Sequence, residues 1–594
     1  MIRFRKNPLL VWVTVLVFFL IHFIFFLYFN CYQLIYQEQT QLFLFSGDYF
    51  SMFLSKPGGF CCWLGTFFVQ FYQNPFMAAL IVTLFSFALF LVSTIILSHY
   101  RIKGILWSMI PVIFLAALQS HHLYLPETTA GLLISLSFFA LYISVLNHNY
   151  RYLSGFIGCS LLYFISGGLA FLAFILCIIH ELIFSTAPKR FIVSLGYIIL
   201  SILIPLISSK LVYYVKTEEI WLYLIPFHLK KSLHPFIYSI LLYYPLLLII
   251  SKFRSIITKK ESQAQWNLKT MLAGIIITGS LIFCIAKFVY DKKTEILLSI
   301  DYNIQNGQWN KALENSFKYP GSNQLILYLG NMAMYKTGQM GDKMFHLPQV
   351  GIHGLWLEWK RNEVAPFLGG EVFYQLGYIS EAYRWAFEAM VAIGQNPRSL
   401  KRLVITSIIR DDVSVAQHYI NILNKTLFYR KWAQRYQKFL DNPDLLVRDK
   451  EIMEKRHFEM HTDILASLEG RDIGLLKLLQ DHPDNRMAFE YYMASLMLNK
   501  DLDAFASNVY RLGDLGYSYI PVHYEEAMLA YMDHTKKNIV PAGYSISRET
   551  LMRLSGYLEI YNSTRDRNSA ARSLYKEYGG TYWFYMNFVN AETR

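Results

Sequence analysis

Apolar runs long enough to cross a bilayer crowd the first 289 residues and dictate how that part of the chain can fold. A hydrocarbon core about 30 Å thick takes about 20 apolar residues as a helix. The candidate runs are 8–30, 77–98, 104–119, 125–147, 153–167, 168–185, 191–209, 234–251 and 269–289. The stretch 153–185 is too long for one straight span, and Gly167-Gly168 predicts a tight hairpin of two short helices. About nine spans follow.

Charge divides at the same place. Residues 1–289 hold 19 Lys/Arg and 7 Asp/Glu, and the remainder holds 36 and 35. The first part is about 9% charged and the second about 23%; only the second has the charge density of an ordinary soluble domain. Of the net charge of +13, +12 falls in the first part. Cations set between apolar spans are a topology signal, which sets nucleic acid aside as a partner. With the N-terminus inside, inner segments carry Arg3, Arg5 and Lys6, then Arg101 and Lys103, then Arg151, then Lys189 and Arg190, then Lys252, Arg254, Lys259, Lys260 and Lys269. Removing the hairpin would invert every later loop and put the basic segment 252–269 outside. The expected layout is therefore a membrane domain over 1–289 and a soluble domain over 290–594 on the outer side. The first 30 residues share a signal peptide's basic start, but the run Leu9–Tyr28 is long and no small-residue cleavage site follows, so an uncleaved first span is expected.

All six cysteines (Cys31, Cys61, Cys62, Cys159, Cys177 and Cys284) lie in the first part. A cysteine-free outer domain suits a compartment where free thiols oxidise. Cys61-Cys62 lack partners at zinc spacing and read as small apolar residues at a membrane boundary.

Two outer loops exceed what a connection needs. Cys31 to Asn74 carries Glu38, Asp48, Lys56, Pro57-Gly58-Gly59 and an aromatic run from Phe60 to Tyr72, the make-up of amphipathic helices lying in the interface. Lys210 to Pro235 carries Glu218-Glu219, His228, Lys230 and Lys231.

The soluble half contains weak repeats. One unit reads Asn306-Gly307-Gln308-Trp309, Ala312-Leu313, Pro320, Leu329-Gly330-Asn331 and Ala333; another reads Gly377-Tyr378, Ala382, Trp385-Ala386-Phe387, Ala389 and Pro397. Less regular units begin near Asp412 and Ala488. Small residues at these spacings let antiparallel helices approach, with Trp or Tyr filling the gap. The pattern resembles the tetratricopeptide repeat, which implies an α-solenoid with a concave surface for peptides or proteins. The alternative is an irregular helical domain. The aromatic end, Tyr578 to Tyr585, fits either docking on the lipid interface or a last core helix.

No phosphate loop, nucleophile elbow or His-Glu-x-x-His spacing occurs. His121-His122 are adjacent, which does not put both rings on one helix face; an interfacial loop and a metal site are the two readings. Glu38, Asp48 and Glu127 lie close to the outer face, either as solvated caps or as a general base and ligands to a divalent metal and a lipid-linked phosphate. Glu181 and Lys287 fall near span ends, with no Asp, Lys or Arg mid-span, which argues against ion-coupled transport.

A long acidic first loop with interfacial helices and a Pro-Gly break before the second span resembles the GT-C membrane glycosyltransferases, as does the stretch Tyr124 to Phe139. That resemblance covers about the first 290 residues and rests on layout. It implies an all-α, GT-C-like membrane domain and a polyprenyl-phosphate sugar donor. Glu38 or Asp48 would be the catalytic carboxylate, with Glu127 as a second acid. Lys56, Lys230 and Lys231, with His121 and His122, would bind substrate. The paired acidic motif usual in those enzymes is absent. The whole layout also resembles a family of multi-pass inner-membrane proteins of Gram-negative bacteria, which implies an address and no chemistry. Two functions follow: glycosyl transfer onto an envelope acceptor at the periplasmic face, or a non-catalytic scaffold whose periplasmic solenoid binds envelope-assembly or secretion proteins. Membrane lipid is a partner in both, and no cofactor is required beyond a possible divalent metal.

Overall fold

Helix-starting chemistry turns the apolar runs into discrete elements. The computed structural model describes residues 8–102, 105–213, 215–216, 219–226, 231–257, 279, 287, 289–358, 364–460, 471–564 and 566–589. The helices of the first part are α1 (Pro8–Tyr28), α2 (Cys31–Gln39), α3 (Gly47–Leu54), α4 (Gly59–Val69), α5 (Pro75–His99), α6 (Ile105–Gln119), α7 (Pro126–Ser144), α8 (His148–Ser166), α9 (Ala170–Ile179), α10 (Arg190–Leu211) and α11 (His234–Ile257). Ser46, Asn74 and Asn147 cap α3, α5 and α8 with side-chain oxygens, and Pro75 and Pro126 open α5 and α7 where a missing N–H costs nothing. Among the described residues there is no strand, only an isolated bridge between Val350 and Ile352. The chain is all-α, as expected.

By length and apolarity five helical segments can cross a membrane, or six if the bent pair Trp12–Tyr28 and Cys31–Gln39 forms one span. This is fewer than about nine, for three reasons. Helix α6 has only 15 residues. The run 269–289 lies almost wholly outside the described residues. The segment His148–Phe184 counts once although it folds back on itself. In a straight helix Arg151 and Glu181 would stand about 45 Å apart; instead their side chains meet at 2.8 Å. The reversal sits at Gly167, whose φ of +56° is open mainly to glycine. A Cβ on Gly168 would fall 2.4 Å from the Trp221 carbonyl oxygen. Helix α9 then continues into a π-helical turn, His180–Phe184.

Helices α5 and α7 pack against most of the bundle. Because lipid is as apolar as leucine, buried polar pairs join such helices as well as packing does. His22 Nδ1 lies 3.0 Å from Thr83 Oγ1, Ser86 donates to Gln119 Oε1 at 3.0 Å, Ser93 meets the Tyr244 hydroxyl at 2.6 Å and Ser135 meets Ser166 at 3.2 Å.

The chain divides into two units, Met1–Asp291 with Lys425–Phe428, and Lys292–Asn424 with Tyr429–Arg594. The second unit contains α12 (Lys292–Gln305), α13 (Trp309–Phe317), α14 (Gln324–Lys336), α15 (Met340–Lys343), α16 (Val364–Leu376), α17 (Ile379–Ile393), α18 (Pro397–Ile409), α19 (Val413–Leu423), α20 (Arg430–Asp441), α21 (Lys450–His457), α22 (Arg471–Asp481), α23 (Arg486–Asn499), α24 (Leu502–Asn508), α25 (Val522–Thr535), α26 (Arg548–Ser563), α27 (Arg567–Tyr578) and α28 (Tyr582–Phe588). From α16 to α20 each helix packs chiefly on its sequence neighbour. Gly377 and Gly394 turn the chain at φ near +100°. Ala382, Trp385 and Ala389 are buried on one face of α17. The Trp385 ring occupies the space that a side chain at Gly369 or Gly370 would need. The aromatic end resolves as core: in α28, Tyr582, Trp583 and Tyr585 are buried, and Trp583 Nε1 donates to the Glu526 carbonyl oxygen at 2.9 Å.

Candidate functional site

The first loop folds into α2, α3 and α4, and these hold the entrance to α7. The Gln37 amide donates to the carbonyl oxygens of His121 (3.3 Å) and Tyr124 (3.1 Å), while Gln33 Oε1 accepts from the His122 N–H at 3.1 Å. The two histidine rings stack with centroids 4.5 Å apart, and His121 Nδ1 accepts from the Leu123 N–H. His121 and His122 therefore build the turn into α7. Beside them Gln37, Tyr72, Gln119, Tyr124 and Thr129 line a cavity of about 10 Å³, room for a single water.

Glu127 stands in the first turn of α7, half-buried. Helices α4 and α7 touch there: a Cβ on Gly65 would fall 2.7 Å from the Glu127 backbone nitrogen. Cys62 on α4 and Lys56 both lie near enough to the Glu127 carboxyl to act on it electrostatically. Burial, reinforced by Glu127, pushes the Cys61 thiol up to about 12 and Cys62 higher still. Neither is a thiolate nucleophile at neutral pH.

The candidate carboxylates thus sit in different surroundings. Glu38 is 3% exposed, on the same buried face of α2 as Gln33 and Gln37. Asp48 is exposed in the first turn of α3, where an acid complements the helix dipole. Lys56 is exposed; Lys231 is exposed in the turn Lys231–Leu233; Lys230 lies outside the described residues. Among the described residues, neither these carboxylates nor His121 and His122 join a group of three side chains able to hold a metal. The arrangement leaves Lys56 within electrostatic reach of Glu127 and stacks the two histidines on each other.

Sequence reasoning counted Arg151 as a loop cation and Glu181 as a span-end acid. The structure buries both, at 6% and 0% exposure. Arg151 grips Glu181 through Nε (2.8 Å) and Nη2 (3.3 Å), and Tyr142 donates to the same carboxylate at 2.9 Å. Tyr197 meets Tyr142 at 3.2 Å, with Gly155 leaving room for both rings. With its oxygens taken by protein donors, Glu181 works as a clamp on the hairpin. The one sequence signal was the glycine pair that brings α8 and α9 together.

In the second unit a cavity of about 200 Å³ opens among α16, α17, α18 and α20, lined in part by Glu371, Arg398, Lys401, Arg402, Trp432 and Tyr436. Positions 398, 401 and 402 fall on one face of α18. Arg398 pairs with Asp301 at 2.7 Å and lies over the Phe367 ring; Arg402 pairs with Glu371 at 2.7 Å and lies 3.4 Å from the Tyr374 ring centroid. Burial alone would raise the Glu371 carboxyl, but Arg402, with help from the Gln375 amide and Arg398, holds it down at about 2. The cavity is polar, charged on both signs and walled by aromatics, which suits a peptide segment better than a small apolar ligand. None of its charged or aromatic residues was a candidate from sequence; only Ala382, Ala386 and Ala389 of its lining stood out, as repeat positions.

No curated protein and no solved structure matches the chain. A sequence profile does match it, across residues 6–589. The chain belongs to the family of unknown function DUF6057.

Proposed function

We propose that this protein is a membrane-anchored scaffold. Its helical first unit holds it in a bacterial inner membrane, and its tetratricopeptide-like second unit stands in the periplasm and receives a segment of an envelope-assembly or secretion protein. The cavity around Arg398, Lys401 and Arg402 carries this reading. Three cations and two carboxylates, Glu371 and Glu451, line it, so the segment offers an acidic group beside an apolar side chain that reaches Trp432. Guanidinium groups already oriented by carboxylates and aromatic rings lose little freedom on binding. The test is complementation of a deletion strain at matched protein level. Arg398→Glu with Lys401→Glu, or Trp432→Ala, is expected to abolish rescue, while Glu38→Gln, Asp48→Asn and Glu127→Gln rescue fully. Rescue by the charge-reversed groove overturns the reading.

A second reading, transfer of a sugar from a polyprenyl-phosphate donor, is favoured by Lys56 and Cys62 lying within electrostatic reach of Glu127 at the first loop. In it Asp48 or Glu38 deprotonates the acceptor hydroxyl, Glu127 assists, and Lys56, Lys230 or Lys231 holds the phosphate, with a divalent metal as an optional bridge. It predicts that the deletion strain lacks an envelope glycan, restored by wild type and not by Glu38→Gln with Asp48→Asn. Unchanged glycans contradict it.

A further inference from the structure

Three side chains from two separate turns of the second unit converge on one point. His457 closes α21, His482 directly follows α22, and Asp484 comes two residues later. His457 Nε2 lies 2.7 Å from Asp484 Oδ2, and the His457 and His482 ring centroids are 5.7 Å apart. One ligand atom from each residue lies within 4.8 Å of the other two. His482 Nε2 donates to the Glu459 carbonyl oxygen at 2.9 Å. A carbonyl only accepts, so in the neutral ring the lone pair is on Nδ1. A backbone carbonyl that fixes the tautomer in this way is the usual support of a metal-binding histidine.

Both turns are fastened to the same place, the C-terminal end of α16, independently of any ligand. Lys455 Nζ donates to the Gln375 carbonyl oxygen at 2.9 Å, and Asn485 Nδ2 donates to the Leu376 carbonyl oxygen at 2.9 Å. Phe458 fills the space beside Gly377, and its ring meets that of His482 edge-on. Two imidazoles and a carboxylate on a fixed frame are a borderline donor set, suited to zinc and its neighbours and poor for calcium or magnesium.

We propose that His457, His482 and Asp484 bind one transition-metal dication of the zinc class, with the fourth position of the tetrahedron open to water or to a ligand atom from a partner. This site is independent of the cavity on α18. The experiment uses the full-length protein in detergent, free of any affinity tag, stripped with chelator and titrated with Zn²⁺ and then Co²⁺. One equivalent binds, and the Co²⁺ form gains the intense visible absorption of a four-coordinate ion. Loss of a supporting group already costs about 10–100-fold in affinity, so His457→Ala and Asp484→Ala each weaken binding by at least about tenfold. His534→Ala, at an exposed histidine ending α25, leaves it unchanged. Both altered ligands are exposed, and circular dichroism verifies that the variants fold. Less than one equivalent bound, equal binding by wild type and His457→Ala, or a pale six-coordinate Co²⁺ spectrum overturns the proposal.

Discussion

Arg151 Nε and Glu181 Oε1 meet at 2.8 Å although 30 residues separate them, because α8 and α9 run back along each other from Gly167. The pair ties the open end of the hairpin as the glycine turn ties its closed end. Removing one partner of a buried, hydrogen-bonded pair costs about 3–5 kcal/mol, since the other is left charged and unpaired. Arg151→Ala and Glu181→Ala are each expected to lower the melting temperature of the detergent-solubilised protein markedly, and Arg151→Met with Glu181→Leu is expected to recover much of the loss. A single variant that melts with wild type contradicts the clamp.

The closed end makes its own prediction. Gly168 donates its N–H to the Tyr223 carbonyl oxygen at 2.9 Å, and a side chain there would strike the backbone at Trp221. Gly168→Val is expected to reduce folded yield severely. Gly279→Val, with open space around its Cβ position, is the matched control. Equal yields for the two count against a tight reversal.

Trp385 fills the gap between α16 and α17 over Gly369 and Gly370. Trp385→Ala should destabilise the second unit by about 3–5 kcal/mol, the range for a buried aromatic truncated to alanine. Hydrogen exchange on the full chain should show faster exchange in α16–α18 and little change in α5 or α7. Uniform protection in the variant would falsify this packing role.

Glu371 sets a pH window. Its folded-state pKa, about 2, lies below the ordinary 4.5, so the folded state binds this proton less readily than the unfolded chain. The stability it contributes is fully present above about pH 4.5 and is lost as pH falls towards 2. The melting-temperature gap between wild type and Glu371→Gln is expected to be widest at pH 6–7 and to close across that window. A gap that stays constant to pH 3 contradicts the Arg402–Glu371 assignment.

Much of the first unit was legible because lipid leaves little choice: the apolar run Pro75–His99 is a helix, and the glycine pair at 167–168 is a reversal. Pairings made across the fold were not legible. Arg151 looks like any loop cation until Glu181 is known to face it. Arg398, Lys401 and Arg402 look solvated until Asp301, Glu371 and the α20 aromatics arrive beside them. His457 and Asp484 are 27 residues apart, beyond any local metal spacing. The aromatic end admitted two readings, and Glu526 decided it by accepting from the Tyr582 N–H and the Trp583 indole.

The central claim is that the second unit binds a partner through the cavity on α18. A photoreactive amino acid in place of Tyr436, inside the cavity, is compared in native membranes with one at Val391, exposed on α17 and outside the cavity lining. A discrete protein cross-linked from position 436, absent from position 391 and lost when Arg398 and Lys401 are both changed to Glu, is the predicted result. The same products from both positions, or cross-linking that survives the charge reversal, would contradict the account.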